Sequence, residues 1–235
     1  MTLKEIMTQL EVMGSEQTRK VLGKHGAREP FFGVKVADLK LIVKRVKKNH
    51  DLAVQLYDTG NSDAMYLAGL ISEPVKMSKE QLHNWADNAY WYLINEYTLA
   101  WVTSESRYGW ELANEWISSD SESLQAAGWA TLASLVAVKN DEDLELTALS
   151  ELLDYTVKNL HNAGNRVRYA MNGFIIASGA YVESLNKKAK EAAAIVGKVN
   201  VEMGGTACKV PLATDYIKKV EDRGRVGKKR KTAIC

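Results

Sequence analysis

The run Ala89-Tyr90-Trp91-Tyr92-Leu93-Ile94-Asn95-Glu96-Tyr97 gathers four aromatic rings in nine residues, and Trp101, Trp110, Trp116 and Trp129 follow it. Tryptophans at helical spacing usually fill a core, because each indole removes a large apolar area from water. On an open surface, the same rings make a platform on which a base or sugar stacks. Trp91 and Asn95 lie four residues apart and share one face of a helix, so an indole stands beside a polar amide. Both readings are open on these residues alone.

A second cluster lies at the other end of the chain. Arg223, Arg225, Lys228, Lys229, Arg230 and Lys231 place six cations in nine residues with no carboxylate among them. Residues 218–235 carry +6 while residues 1–217 carry −4, within a net charge of +2. Segregated charge of this kind suits a polyanion, since each phosphate contact releases condensed counterions. The plainer alternative is a solvated tail that keeps the protein soluble, and a tail of that sort could be removed with the fold intact. Lys35, Lys40 and Lys44 lie beside the apolar seam Val36, Leu39, Val43 and Val46, and Arg166 and Arg168 open a late helix. Helix N-termini add free amides that phosphates accept, although lysines beside a seam are also what any wet helix face carries.

Other chemistries find little support. Cys208 and Cys235 are the only cysteines, and His25, His50, His83 and His161 are scattered. No disulfide framework, metal-ligand spacing or cofactor is expected from them. The longest uncharged stretch on a helical pattern, Leu124 to Val138, is shorter than the roughly 20 apolar residues of a membrane span. Lys4 and Glu5 interrupt the start of the chain, where a signal peptide would be apolar, so a cytoplasmic location is expected.

The elements that position these residues read as helices almost throughout. Pro30, Pro74 and Pro211 fall where apolar periodicity stops and punctuate the chain. The spacing predicts helices over about 51–58, from a Ser62 cap through Ile71, and from a Ser78/Gln81 capping box through Trp85. It predicts more over about 91–103, 106–117, 121–138, 142–160, 165–178 and 182–198. Val199 to Val210, with Gly204-Gly205, is non-helical, and a short helix near Ala213 to Val220 precedes the basic tail. Short helices joined by tight turns stack as antiparallel pairs into a curved all-α solenoid with a concave surface. The expected division is a repeat domain over 1–198 and a C-terminal extension over 199–235.

A resemblance adds to this reading. The run His25-Gly26-Ala27-Arg28-Glu29-Pro30-Phe31-Phe32-Gly33-Val34-Lys35-Val36-Ala37-Asp38-Leu39-Lys40 is the most specific of its pieces. Trp91 with a polar residue at 95, Trp116 to Asp120 and Leu124 to Trp129 follow in order. Across about residues 20–180 the chain resembles the DNA alkylation repair family of HEAT-like repeat proteins, which includes the AlkD-like DNA glycosylases. The resemblance implies an all-α HEAT-like solenoid whose concave basic face holds duplex or branched DNA. It implies excision of cationic alkylated purines, with no metal or organic cofactor. Trp91 and Asn95 would then occupy the catalytic positions.

Breaking the bond to a cationic base develops positive charge on the sugar, which a carboxylate beside an indole stabilises. In active members that carboxylate is an Asp four residues after the Trp, where this chain has the neutral Asn95, which can act neither as that anion nor as a base. Ala126 stands about where active members carry an Arg, and a second Trp is missing near Gly173-Phe174. Glu96 lies about 100° round an α-helix from Asn95. The expectation is a DNA-binding member with weak or no excision; the alternatives are an alkylpurine DNA glycosylase and a protein-protein scaffold.

Overall fold

The computed structural model describes residues 1–234, and among them every regular element is helical. The chain opens with α1 (Leu3–Met13), α2 (Glu16–Lys24), α3 (Val36–Val46), α4 (His50–Asp58) and α5 (Ser62–Ile71). It continues through α6 (Lys79–Asn88), a π-helical turn over Leu93–Leu99 that runs directly into α7 (Ala100–Glu105), and α8 (Gly109–Ile117). Next come α9 (Glu122–Val138), α10 (Leu146–Asn159), α11 (Asn165–Tyr181), α12 (Asn186–Val196) and α13 (Ala213–Asp222).

Local chemistry sets the boundaries. The Ser78/Gln81 capping box is present, with both reciprocal bonds formed at the start of α6. At α5 the cap is Asn61 rather than the expected Ser62; the Asn61 carboxamide accepts from the backbone N–H of Asp63 and Ala64, which leaves Ser62 free for another contact. The stretch expected as one helix over 142–160 starts later, because Asp141–Asp143 forms a separate 3₁₀ turn. Residues 199–210 are non-helical, as their glycines and lack of periodicity imply.

α5, the π-helical turn with α7, α9 and α11 stack side by side as one layer; α4 pairs with α5, α8 with α9 and α12 with α11, and α10 packs mainly on α12. α12 and α13 close the stack against α11. Close approach depends on small residues: a Cβ at Gly128 of α9 would sit 2.8 Å from the Ala113 carbonyl oxygen of α8. One apolar cluster spans the N-terminal helices to Ala127, and a second runs from Ala113 to Ile217, so the core lies in two parts that both draw on α8 and α9. Trp85, Trp91, Trp101, Trp116 and Trp129 are all buried in it, which assigns most of the indole content to packing.

The most specific run of the sequence has a structural purpose. The buried Asp63 carboxylate accepts from the backbone N–H of Phe32 at 2.6 Å, Gly33 at 2.9 Å and Val34 at 3.0 Å. Gly33 has φ +79° and lies against Arg19 so closely that no side chain could be added. The loop before α3 is thereby pinned to the start of α5.

Candidate nucleic-acid interface

The layer carries a furrow of about 220 Å³ over α9, walled by the π-helical turn with α7 on one side and α11 on the other. Its floor is Ala130, Ala133, Ser134 and Ala137, the i, i+3, i+4 and i+7 positions of one α9 face. Small side chains there keep the floor low. Tyr97 and Trp101 form one wall, and Tyr169, Gly173, Ala177 and Tyr181 the other.

At one end of the furrow stands Glu96. Arg166, on the first turn of α11, grips it in a bidentate pair: Nε donates to Oε1 at 2.7 Å and Nη2 to Oε2 at 2.6 Å. The same guanidinium lies 4.4 Å from the Tyr92 ring centroid and 4.6 Å from that of Tyr169. Burial pushes the Glu96 carboxyl above its ordinary value, and the Arg166 hydrogen bonds pull it back. Next to this pair the His25-to-Pro30 run is fastened to the aromatic cluster: Arg28 donates to the Tyr90 carbonyl at 2.6 Å, and the Tyr92 hydroxyl lies 3.1 Å from His25 Nδ1.

Trp91 and Asn95 face away from this furrow. The Trp91 ring is buried and its Nε1 donates to Ser62 Oγ at 2.8 Å, the contact that the Asn61 cap leaves possible. Asn95 is buried and donates from Nδ2 to the Ser123 carbonyl at 2.6 Å, tying the π-helical turn to the start of α9. Its Oδ1 is buried without a hydrogen-bond partner among the described residues. The expected pairing of indole and amide exists, but it is an internal brace rather than a stacking platform. Ala126 is likewise buried. Trp91 and Asn95 do share a face, joined by the i→i−4 bond from Asn95 N–H to the Trp91 carbonyl, but that face is buried in the core, and Glu96, one residue round the helix, is the side chain that reaches the furrow.

The expected phosphate contacts divide. Lys35, Lys40 and Lys44 are exposed on or beside α3 and line neither this furrow nor the groove described next. Arg166 is committed to Glu96, and Arg168 donates to the Ala163 carbonyl and to Asn165 Oδ1, holding the turn before α11.

The basic tail is docked. Gly227 N–H donates to the Ala180 carbonyl at 3.1 Å, Arg230 N–H to the Ala137 carbonyl at 2.8 Å, and Thr232 and Ala233 both donate to Glu105. It therefore crosses the C-terminal ends of α11, α9 and α7 in turn. Those ends present carbonyls without intrahelical partners, and cations there also complement the helix dipoles. Lys229 reaches the Val136 carbonyl at 2.9 Å and pairs with Asp141 at 2.7 Å. Arg230 donates to the Ile234 carbonyl. Ala233 is buried in the N-terminal core cluster, so the tail is a strap and not a removable appendage, a correction to the solvated-tail alternative.

Beyond the strap, α13 and residues 223–232 enclose a groove of about 680 Å³. Lys219, Arg223, Arg225, Lys228 and Lys231 line it with Tyr181 and Tyr216, and no acidic side chain does among the described residues. Tyr181 and Arg230 border both depressions, so furrow and groove adjoin. Sequence had marked the groove's cations by composition. Glu96 with Arg166, 70 residues apart, carried no sequence signal as a pair.

Helix pairs stacked into a curved layer, with a small-residue furrow on the inside, define a HEAT-like repeat protein. A solved structure described as "a new family of proteins related to the HEAT-like repeat DNA glycosylases with affinity for branched DNA structures" matches at a TM-score of 0.90 and 37% identity, covering 100% of both chains. The family described as "DNA alkylation repair enzyme" matches residues 6–195, and the chain belongs to that family. Two uncharacterised proteins are similar over 228 residues: Lmo0209 of Listeria monocytogenes at 37% identity and Lin0241 of Listeria innocua at 36%, each match covering 94% of this chain and 98% of the relative. No helix is long and apolar enough to cross a membrane, and no group of three or more potential metal ligands occurs among the described residues.

Proposed function

We propose that the protein binds duplex or branched DNA across its concave furrow and does not excise alkylated bases through Trp91 and Asn95. The end-to-end likeness to a structure described as having affinity for branched DNA carries this reading. Burial of Trp91 and Asn95 supports its second half, because neither can touch a sugar without unfolding the brace they form. The furrow itself is nearly neutral, so phosphate contacts come from outside it, and Lys35, Lys40 and Lys44, exposed on or beside α3, remain the candidates on the repeats. With DNA as partner, the cytoplasm is the proposed compartment.

Gly173 gives a direct test, since a Cβ there meets nothing within 4 Å and the residue lines the furrow. Gly173→Trp should fill the furrow, leave the melting temperature nearly unchanged and weaken binding to a four-way junction and to linear duplex by roughly tenfold, about 1.4 kcal/mol. Unchanged affinity for both DNAs would place binding elsewhere. A second reading has one observation behind it: Glu96 is a carboxylate facing the furrow. Release of methylated purines by the wild type that Glu96→Gln abolishes would establish excision with Glu96 as the acting group.

A further inference from the structure

We infer that the groove between α13 and the C-terminal strap is a second nucleic-acid site, which holds the phosphodiester backbone of a strand that has left the concave furrow. The inference rests on the DNA reading above and adds where the further arm of a branched substrate is held.

Four observations converge. Lys219, Arg223, Arg225, Lys228 and Lys231 line one depression without a carboxylate among the lining residues. None of these five side chains has a hydrogen-bonded or ionic partner among the described residues, whereas Lys229 and Arg230 from the same run do. Of the acids beside the groove residues, Glu221 pairs with Lys190 and Asp222 with Lys218, and Glu183 lies against Gly227 of the strap without lining the groove. The strap that carries the cations is fixed by backbone bonds to α9 and α11, so the charges are presented with little ordering left to pay on binding.

Five like charges held together repel one another, and a polyanion relieves that repulsion while releasing counterions. A peptide carboxylate or a lone phosphate would satisfy one or two of them; a strand, with a charge about every 3.4 Å, can satisfy the row. Tyr216, 52% exposed at the groove, adds a ring on which an unpaired base can stack where strands part. Because Tyr181 and Arg230 border both depressions, a strand leaving the furrow reaches the groove without crossing other surface. Linear duplex can occupy the furrow alone, and only a branched substrate offers a strand to each.

The test compares the wild type with the variant Arg223→Gln, Arg225→Gln, Lys228→Gln and Lys231→Gln on a four-way junction and on one of its arms as linear duplex, across a salt series. The expected result is a loss of tenfold or more in junction affinity, and a log-log salt slope shallower by up to ~3.6. Linear duplex should lose less than about threefold, with the melting temperature unchanged because these side chains have no internal partners. Junction affinity and slope equal to the wild type would overturn the inference while leaving the furrow reading intact. Equal losses on junction and linear duplex would also overturn it, by making the groove part of ordinary duplex binding. Failure of the wild type to bind either DNA would instead sink the function proposed above, and this site with it.

Discussion

Cations gather at two places on this molecule, and their surroundings give them opposite roles. At the head of the furrow Arg166 is held by both oxygens of Glu96 and lies over two tyrosine rings. In the C-terminal groove five cations lie together with no side-chain partner among the described residues. The first is structural charge, fixed in a pair whose carboxylate is 4% exposed; the second is charge left available to a ligand. A basic residue near a candidate interface therefore says little until its partner is known. Arg166 and Lys228 look alike in sequence, yet only one can answer a phosphate without first leaving another anion bare.

The contrast can be broken from the furrow side first. Arg166→Met keeps most of the side-chain volume but leaves Glu96 buried and unpaired, which should destabilise by about 3 kcal/mol. For a chain of this size that corresponds to a melting temperature lower by roughly 6–12 °C. Glu96→Gln in the same background should restore part of the loss, and a melting temperature unmoved by Arg166→Met would show the pair to be incidental.

Removal of the strap should cost nearly as much and blur the two regions together. Deleting residues 223–235 eliminates four bonds, one each to Ala137 and Ala180 and two to Glu105, and uncovers the site of Ala233, at roughly 0.5–0.75 kcal/mol for each bond lost. Denaturant unfolding should show a loss of about 2–3 kcal/mol, which the four-residue groove variant does not share. Equal stability of the deleted and full chains would return the tail to the status of a free appendage.

The smallest effect concerns the internal brace. Asn95→Asp replaces the donor to the Ser123 carbonyl with a carboxylate facing that oxygen, at an expected cost of about 2 kcal/mol. Methylpurine release should stay at its wild-type level, because the new carboxylate points into the core. A gain in excision without loss of stability would show that position 95 can reach a substrate.

Much of the fold was legible in the sequence, and the reasons differ from element to element. α9 and α11 announced themselves by long apolar patterns, and α6 by a capping box whose two bonds form as read. α5 was misread by one residue at its cap, since Asn61 and Ser62 are both good caps and only the contact to Trp91 separates them. The site was less legible. A helical wheel put Trp91 and Asn95 on one face, as they are, but which face of an all-round aromatic segment turns inward is a matter of tertiary packing, and here theirs is buried while Glu96 lines the furrow. The tail's composition revealed its charge but not its docking, because the residues that anchor it, Gly227, Thr232 and Ala233, form no periodic pattern.

The seat of Ala233 in the N-terminal core has a consequence for how the protein is made. Domains tend to fold from the N-terminus as the chain emerges during synthesis, yet here Ala233 completes a cluster that begins at Ile6. The first repeats stay unfinished until the strap has been made and docked. Closure over so many intervening residues is the slow, long-range kind of contact, so the strap is a late clasp on helices formed long before it.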